Sequence, residues 1–499
     1  MSIERGFEMT RNYYIGLDVG TSVIKAAAFS EAGKLIKIVS EPAPKSKIVG
    51  RASQDMNEIW DITWHLLAQL VDKLDYGTPI SIGVCGQGDG LWMLDQNGKP
   101  VTDAILWNDS FAQGSVDEWG STGAARKASL NCGTDLWAGT SAAIYKQIQL
   151  DAPDLAAKAV TILHSKDWIN YKLTGKLATD FSDATIPFFD LKLMDYASES
   201  FKELGVEALK NAVLPPKISA SNLGSLLTKV SQSTGLPDGL PVAVGAIDIG
   251  AMHVGLGLNA PGDVLLILGT TAVVSVVTDP QPPVPPIIGA TLVHPMPGRF
   301  IRALAPLNGS SALDWAQTAI GGGEALETLL EDASKSQIGS SKILFLPYLN
   351  GERAPFVAPG ATGVFIGLTS NSRRGDMIRA VLEGVAFSMR DCIVAAGISM
   401  PEQLILTGGG AKSPLWRQIL ADVLGCSITV DNSGNHGLWG AALLGMAAAG
   451  QTPSTKPASK VKKLIYAPDP TAHALYDKCF QRYCDAQAAM AEVFEKNQH

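Results

Sequence analysis

Tyr13-Tyr14-Ile15-Gly16-Leu17-Asp18-Val19-Gly20-Thr21-Ser22-Val23-Ile24-Lys25-Ala26-Ala27-Ala28-Phe29 is the stretch that decides how this chain folds. Two apolar runs, Tyr13–Leu17 and Val23–Phe29, flank the turn Asp18–Ser22, which carries the Asp and Gly that tight turns require. A further turn over Glu31–Lys34 leads to a third run, Leu35–Val39, and completes a three-stranded meander. The same grammar returns in the second half of the chain. Asp263–Leu268 reads as a strand, Gly269-Thr270-Thr271 as a turn and Ala272–Val277 as a second strand. Two distant segments with one pattern read as internal copies. They predict two related α/β domains, each a sheet flanked by helices. Gly, Asn and Pro cluster at Gly255–Pro261, which sets the domains at 13–255 and 256–495.

Other segments extend this reading. Met56–Leu74 has the spacing of an amphipathic helix through Ile59, Trp60, Ile62, Leu66, Leu67 and Leu70. Ile80–Val84 is a buried strand that runs into Gly86-Gln87-Gly88-Asp89-Gly90. The strand Pro241–Ala246 precedes Asp248 and a Gly/Ala-rich helix, Ile249–Val254. Pro280–Pro286 reads as a surface loop, Ala441–Ala449 as a buried helix and Thr471–Phe494 as a closing helix.

Composition narrows the class. The chain has 499 residues, 46% hydrophobic and 18% charged, with a net charge of −8. That is ordinary globular composition with room for sizeable cores. It contains no basic run suited to nucleic acid and no polybasic cluster for a lipid surface. Six cysteines show no CxxC, and seven histidines show no metal-ligand spacing. The polar start, Met1 to Asn12, lacks an apolar signal core, and no apolar stretch reaches the ~20 residues of a membrane span. A cytoplasmic protein with reduced thiols is expected.

Three glycine-containing turns suit anions. In the first, Gly20 lets backbone N–H groups approach a phosphate, Thr21 and Ser22 add hydroxyls, and Lys25 lies beyond. Asp18 is placed to hold a Mg²⁺-bound water, or alternatively to hydrogen-bond its own turn. Gly269-Thr270-Thr271 repeats the first turn, so the pair predicts a clamp. The third, Thr407-Gly408-Gly409-Gly410-Ala411-Lys412-Ser413, joins the strand Gln403–Leu406 to the helix Pro414–Leu424, where a ligand can lie against Gly409, Gly410, Ala411 and a helix N-terminus. Tight strand–helix packing would also favour glycine there. It is not a Walker loop. Asp248 is a candidate general base or an ordinary helix N-cap. Gln87, Asp89, Trp107, Asn108 and Asp109 cluster at strand ends, where amides, carboxylates and an aromatic face suit a polyhydroxyl substrate.

At these residues the sequence resembles the FGGY carbohydrate kinase family, from Tyr13 to Gly450 in motif order. The long patterns Gly363-Val364-Phe365-Ile366-Gly367-Leu368, Asp376-Met377 with Ala380-Val381-Leu382-Glu383, and Leu349-Asn350-Gly351-Glu352-Arg353-Ala354-Pro355 carry the likeness and are mostly structural. The resemblance implies two ribonuclease-H-like domains of actin- and hexokinase-like ATPase type, flanking a cleft. It implies Mg²⁺-ATP, with Asp18, Gly20, Thr21 and Lys25 in the first phosphate motif and Gly269, Thr270 and Thr271 in the second. Gly409, Gly410 and Ala411 match the adenosine turn, Asp248 the catalytic aspartate, and Gln87 and Asp109 the sugar contacts.

The chain departs from the family pattern at three places. Ala143, Lys146, Gln147 and Gln149 fit the N-terminal signature only loosely. Phe111 stands where many members carry Arg. Gly88-Asp89 replaces the Arg-Glu of glycerol kinases, so glycerol is disfavoured. Gly86–Gly90, Asp95–Pro100 and Ser165-Lys166-Asp167-Trp168 resemble L-xylulose and erythritol kinase members. The expected reaction is transfer of the ATP γ-phosphate to a small sugar or polyol, an L-xylulose-like ketopentose or erythritol-like polyol. D-xylulose or D-ribulose is the alternative within the family. An actin-like ATPase without a sugar substrate is the alternative outside it. Domain closure is expected around a hinge near Gly255, and a homodimer is the commonest assembly for such a chain.

Overall fold

The computed structural model describes residues 11–284, 287–431, 434–452 and 464–497. All but the last two residues of the polar start, and Pro285 and Pro286 of the expected loop, lie outside them; 280–284 have no regular structure.

Asn12–Val19, Val23–Ser30 and Leu35–Pro42 form the expected antiparallel meander, with Asp18 opposite Lys25. Thr78–Gly86 joins the other side of the first strand in parallel, followed by Pro241–Ala243 and the edge strand Asn222–Ser225. The second sheet repeats this plan. Val264–Leu268, Ala272–Thr278 and Phe300–Leu304 form its meander, and Gln403–Thr407 and Ser427–Val430 follow in parallel beyond its first strand. Ala290–Val293 and Leu464–Tyr466 extend its edges. Both sheets thus run third, second, first, fourth, fifth. This is the strand order of two ribonuclease-H-like units, the architecture of actin- and hexokinase-like ATPases.

Local chemistry explains where elements differ from the sequence reading. The helix Met56–Val71 starts where the Asp55 carboxylate accepts the Asn57 and Glu58 N–H groups, and it ends before the expected Leu74 because Lys73 turns to φ 53°. The expected strand Pro241–Ala246 is broken at Val244 and Gly245, whose N–H groups go to Ser221 and Ser219 carbonyls. Pairing resumes at Ala246–Ile247 against Cys85 and Gly86.

The helix after that break, Asp248–Leu256, leaves the first sheet and packs on the second. Its Leu256 and Met252 meet Leu265, Val277, Ile267 and Ile405. The helix His436–Ala448 does the reverse. Its Leu438, Trp439, Ala442 and Leu443 pack on Tyr14, Ala27 and Phe29 of the first sheet. The two helices cross through glycines. A Cβ on Gly440 would lie 1.8 Å from the Ala251 carbonyl oxygen, and one on Gly255 would lie 2.1 Å from that of His436. Gly16 and Gly83 meet Leu438 and Ala441 equally closely, at 2.0 and 1.7 Å. Gly255, expected near a hinge, is therefore a locked contact inside a helix.

The long family-like patterns are structural, as expected. Glu352 accepts the N–H groups of Leu307 and Arg353, while Glu383 accepts from Arg379, Ser340 and Tyr476 of the closing helix Pro470–Lys496. No helix among the described residues is long and apolar enough to cross a membrane.

The glycine crossing predicts a specific sensitivity. Gly440→Ala forces the helices apart and should cost about 1–3 kcal/mol, read as a lower midpoint in urea unfolding. Gly120→Ala, in the helix Gln113–Thr122 where nothing lies within 4 Å of the new Cβ, should leave the midpoint unchanged or raise it.

Candidate active site

The first turn and the polar cluster around Gln87 converge at the carboxyl ends of two parallel strands. Val19 and Gly86 are register partners, and the Gln87 N–H continues the pairing onto the Val19 carbonyl at 3.0 Å. Thr21 Oγ1 donates to Gln87 Oε1 at 2.8 Å and accepts from Trp107 Nε1 at 3.1 Å. Gln87 Nε2 donates to Gln54 Oε1 at 2.9 Å, and Gln54 Nε2 returns to the Thr21 carbonyl at 2.8 Å. Thr21, Gln54 and Gln87 form a closed ring with Trp107 attached. The Thr21 hydroxyl, read from sequence as a phosphate donor, is thus engaged with Gln87 and Trp107. Ser22 is exposed and Lys25 half-buried.

Asp109 is spent on its own surroundings. Its Oδ2 accepts the Ala52 N–H at 2.6 Å and its Oδ1 that of Phe111 at 2.8 Å. Arg51 Nη1 lies 3.6 Å from Oδ1, and the guanidinium sits 3.4 Å from the Phe111 ring centre. A guanidinium thus reaches this turn from another loop. Asn108 is exposed.

Three carboxylates face one region from separate elements. Asp248 is the first residue of its helix and not its N-cap, which is Ile247; its Oδ1 accepts the neighbouring Ile249 N–H at 2.6 Å. Burial pushes its pKa up to about 7, with the charge of Asp18 and then Asp183 adding to the effect and the Ile249 N–H opposing it. Asp89, held at φ 55°, is also raised to about 7, by burial first and then by Asp183 and Asp248 against the opposing His164. Asp18 is raised by burial, opposed by Lys25 and Cys85. The start of the helix His436–Ala448 closes over Asp18: a Cβ on Gly437 would lie 3.8 Å from Asp18 Oδ2 and 3.5 Å from Cys85 Sγ.

The second and third turns meet on the other sheet. Gly408, at φ 105°, packs against the Leu268 backbone, directly before Gly269. The carbonyls of Gly269 and Thr270 accept the Ser310 and Gly309 N–H groups at 2.6 and 3.0 Å, stitching the turn to the helix Ser310–Ala319. Thr270 and Thr271 remain exposed. Gly409 has nothing within 4 Å of an added Cβ, while Gly410 and Ala411 are packed from below. An open backbone surface over Gly409, beside exposed hydroxyls, suits a nucleotide. A half-buried carboxylate at Asp18 suits a hydrated Mg²⁺.

Sequence reasoning missed Gln54, Arg51 and a buried cluster around Lys166. Its Nζ is enclosed by Asp167, Asp180 and Asp183. His164, Asp167 and Asp183 have metal-ligand spacing, but the ammonium already occupies the role of a cation there. Ser165-Lys166-Asp167 stood out in the sequence as a family-like run, which was the available signal.

The fold is that of an actin- and hexokinase-type ATPase, with a hydrogen-bonded polar cluster beside its first glycine turn. The profile of the N-terminal domain of the FGGY family of carbohydrate kinases matches residues 13–255, and that of the C-terminal domain matches 264–449. The chain belongs to this family and is an ATP-dependent carbohydrate or polyol kinase. It is 30% identical to erythritol kinase of Brucella abortus, covering 97% of each chain. It is 29% identical to a probable L-xylulose kinase of Pasteurella multocida, covering 96% of this chain and 99% of the other. Among solved structures it is similar to ligand-bound xylulose kinase from Lactobacillus acidophilus, with a TM-score of 0.91 and 25% identity over 97% and 99% of the two chains.

The raised carboxyl at Asp248 has a thermodynamic consequence. An acid whose folded pKa lies above its unfolded value destabilises the fold once ionised; the penalty grows as pH rises from the unfolded value toward about 7 and then levels off. Asp248→Asn removes it. The expected result is a rise in the ligand-free melting temperature that is larger at pH 8 than at pH 5, measured by calorimetry.

Proposed function

We propose that this chain transfers the γ-phosphate of ATP directly to a hydroxyl of an L-xylulose-like ketopentose or an erythritol-like polyol, with Asp248 as general base. The observation that carries the reading is Asp248 at a helix start, its carboxyl raised to about 7, beside Asp18 and the strand end of Gln87 and Asp89. A base with a pKa near the working pH accepts a hydroxyl proton without being permanently protonated. The domains assigned are 13–255 for sugar and base, and 256–495 for ATP.

In this reading Gln87, Asp89 and Trp107 contact the sugar, with Asn108 at the rim and Asp109 holding the turn through Ala52 and Phe111. Gly20, Ser22 and Lys25 with Gly269, Thr270 and Thr271 hold the phosphates, and Gly409, Gly410 and Ala411 the adenosine. Thr21 links the two groups through its bonds to Gln87 and Trp107. Asp18 would hold Mg²⁺, and the ion when bound would neutralise phosphate charge. The likeness to erythritol and L-xylulose kinases supports the substrate class. The likeness to a xylulose kinase structure keeps D-xylulose within it.

The test is ADP release with Mg²⁺-ATP across L-xylulose, D-xylulose, D-ribulose, erythritol and glycerol. One or two strong responders among the ketopentoses and erythritol are expected, with glycerol weak. ATP turnover indifferent to every sugar would sink the reading. With the best substrate, Asp248→Ala should lower kcat by about a hundred- to ten-thousandfold. Wild-type turnover should fall as pH drops below about 7, as Asp248 takes up its proton.

A further inference from the structure

The Lys166 cluster is built around a lysine with no contact with water. Lys166 Nζ lies 2.5 Å from Asp167 Oδ1, 2.8 Å from Asp183 Oδ2 and 3.1 Å from Asp180 Oδ1, and the four side chains are essentially unexposed. The ammonium donates a hydrogen bond to Asp167 Oδ1 and is ion-paired with Asp180 and Asp183. Desolvated ions in such geometry have no water to fall back on, so the arrangement is rigid.

Its connections run to both strand ends of the active site. Asp180 Oδ2 accepts the Ser182 hydroxyl at 2.7 Å and the Ser219 hydroxyl at 2.6 Å. Ser182 Oγ in turn accepts the Ile247 N–H at 3.0 Å. Ile247 is the N-cap residue directly before Asp248. On the other side Ser165, next to Lys166, donates its hydroxyl to the Gln87 carbonyl at 2.8 Å. The chain breaks its strand pairing at Val244 and Gly245, so the two-residue strand Ala246–Ile247 has little ladder of its own to fix its direction. The Ser182 hydroxyl supplies an anchor from the ion cluster at that point. Ser219 reaches the same carboxylate oxygen, but its tie to the strand is its backbone carbonyl, bonded to the Gly245 N–H at 2.9 Å, which an alanine keeps.

We propose that Ser182 is a positioning residue for phosphoryl transfer: it couples the buried Lys166–Asp180 pair to the peptide that aims Asp248 at the sugar hydroxyl. The inference rests on the reading of Asp248 as the base. A base displaced by a fraction of an ångström transfers its proton poorly while substrate binding is unaffected, so the signature lies in kcat and not in KM.

The experiment compares Ser182→Ala, Ser219→Ala and Asp248→Asn in the ADP-release assay with the best sugar, alongside melting temperatures. Both serine variants remove one hydroxyl from the same Asp180 oxygen, and Ser182→Ala also leaves the Ile247 N–H without its acceptor, so it should lose more stability than Ser219→Ala. Ser182→Ala is expected to lower kcat by about ten- to a hundredfold with sugar KM within about threefold of wild type, and Ser219→Ala to keep wild-type kcat. Ser182→Thr, which keeps the hydroxyl, should retain more kcat than the similarly shaped Ser182→Val; this pair also decides the matter if the alanine variant does not fold. Equal kcat in the two alanine variants, or a loss confined to KM, overturns the positioning role. If Asp248→Asn is inactive in that same experiment, the base reading survives that failure. Wild-type turnover in Asp248→Asn overturns the base reading and the inference with it.

Discussion

Two helices crossing at glycines set the geometry on which everything else depends. Asp248–Leu256 and His436–Ala448 each cover the sheet of the other half, and they approach so closely that carbonyl oxygens occupy the space a Cβ would need at Gly440 and Gly255. Backbone-to-backbone contact of this kind leaves little room for relative slip. It fixes Ala251–Gly255 of the first helix against the start of the second, which lies over Asp18, and so holds Asp248, one turn earlier, within range of the Asp18 charge. The neighbourhood of Asp18 and Asp248 is a consequence of how two sheets exchange their covering helices.

That packing has an electrostatic effect. Asp18, Asp89 and Asp248 come from a hairpin strand, a strand end and a helix start, and they share a poorly hydrated region. Like charges and desolvation both disfavour ionisation, which lifts Asp89 and Asp248 to about 7. Lys25 and His164 offset the charge of Asp18 and Asp89 only in part. Near them the single charge of Lys166 is shared among Asp167, Asp180 and Asp183. The candidate site thus stays rich in acidic groups, a setting suited to hydroxyls and hydrated cations.

Much of this was legible in the chain. Both hairpins, the glycine turn after Gln403–Thr407 and the closing helix follow from apolar periodicity and turn chemistry, which are local properties. The repeated hairpin pattern announced two sheets of one design. The hydrogen-bond ring of Thr21, Gln54 and Gln87 was not legible, because Gln54 sits on a two-residue strand far from either partner in sequence. Arg51 was missed for the same reason. The sequence has Phe111 where a family arginine was looked for, and only the fold brings a guanidinium from another loop onto that ring. A buried Lys gives no periodic signal at all, since its burial depends on three aspartates spread over two helices and a two-residue strand.

Local sequence was enough for the repeated hairpins, the glycine turns that join strand to strand and strand to helix, and the acidic residues beside them. These depend on residues close along the chain, whose preferences act before any long-range contact forms. The tertiary structure alone decided which helix covers which sheet, that Gly255 is a locked crossing, and that Asp109 and the Thr21 hydroxyl are occupied by partners within the protein. Those outcomes depend on steric fit and on the pairing of desolvated polar groups. Both are properties of atoms brought together from distant parts of the chain, and no local stretch encodes them.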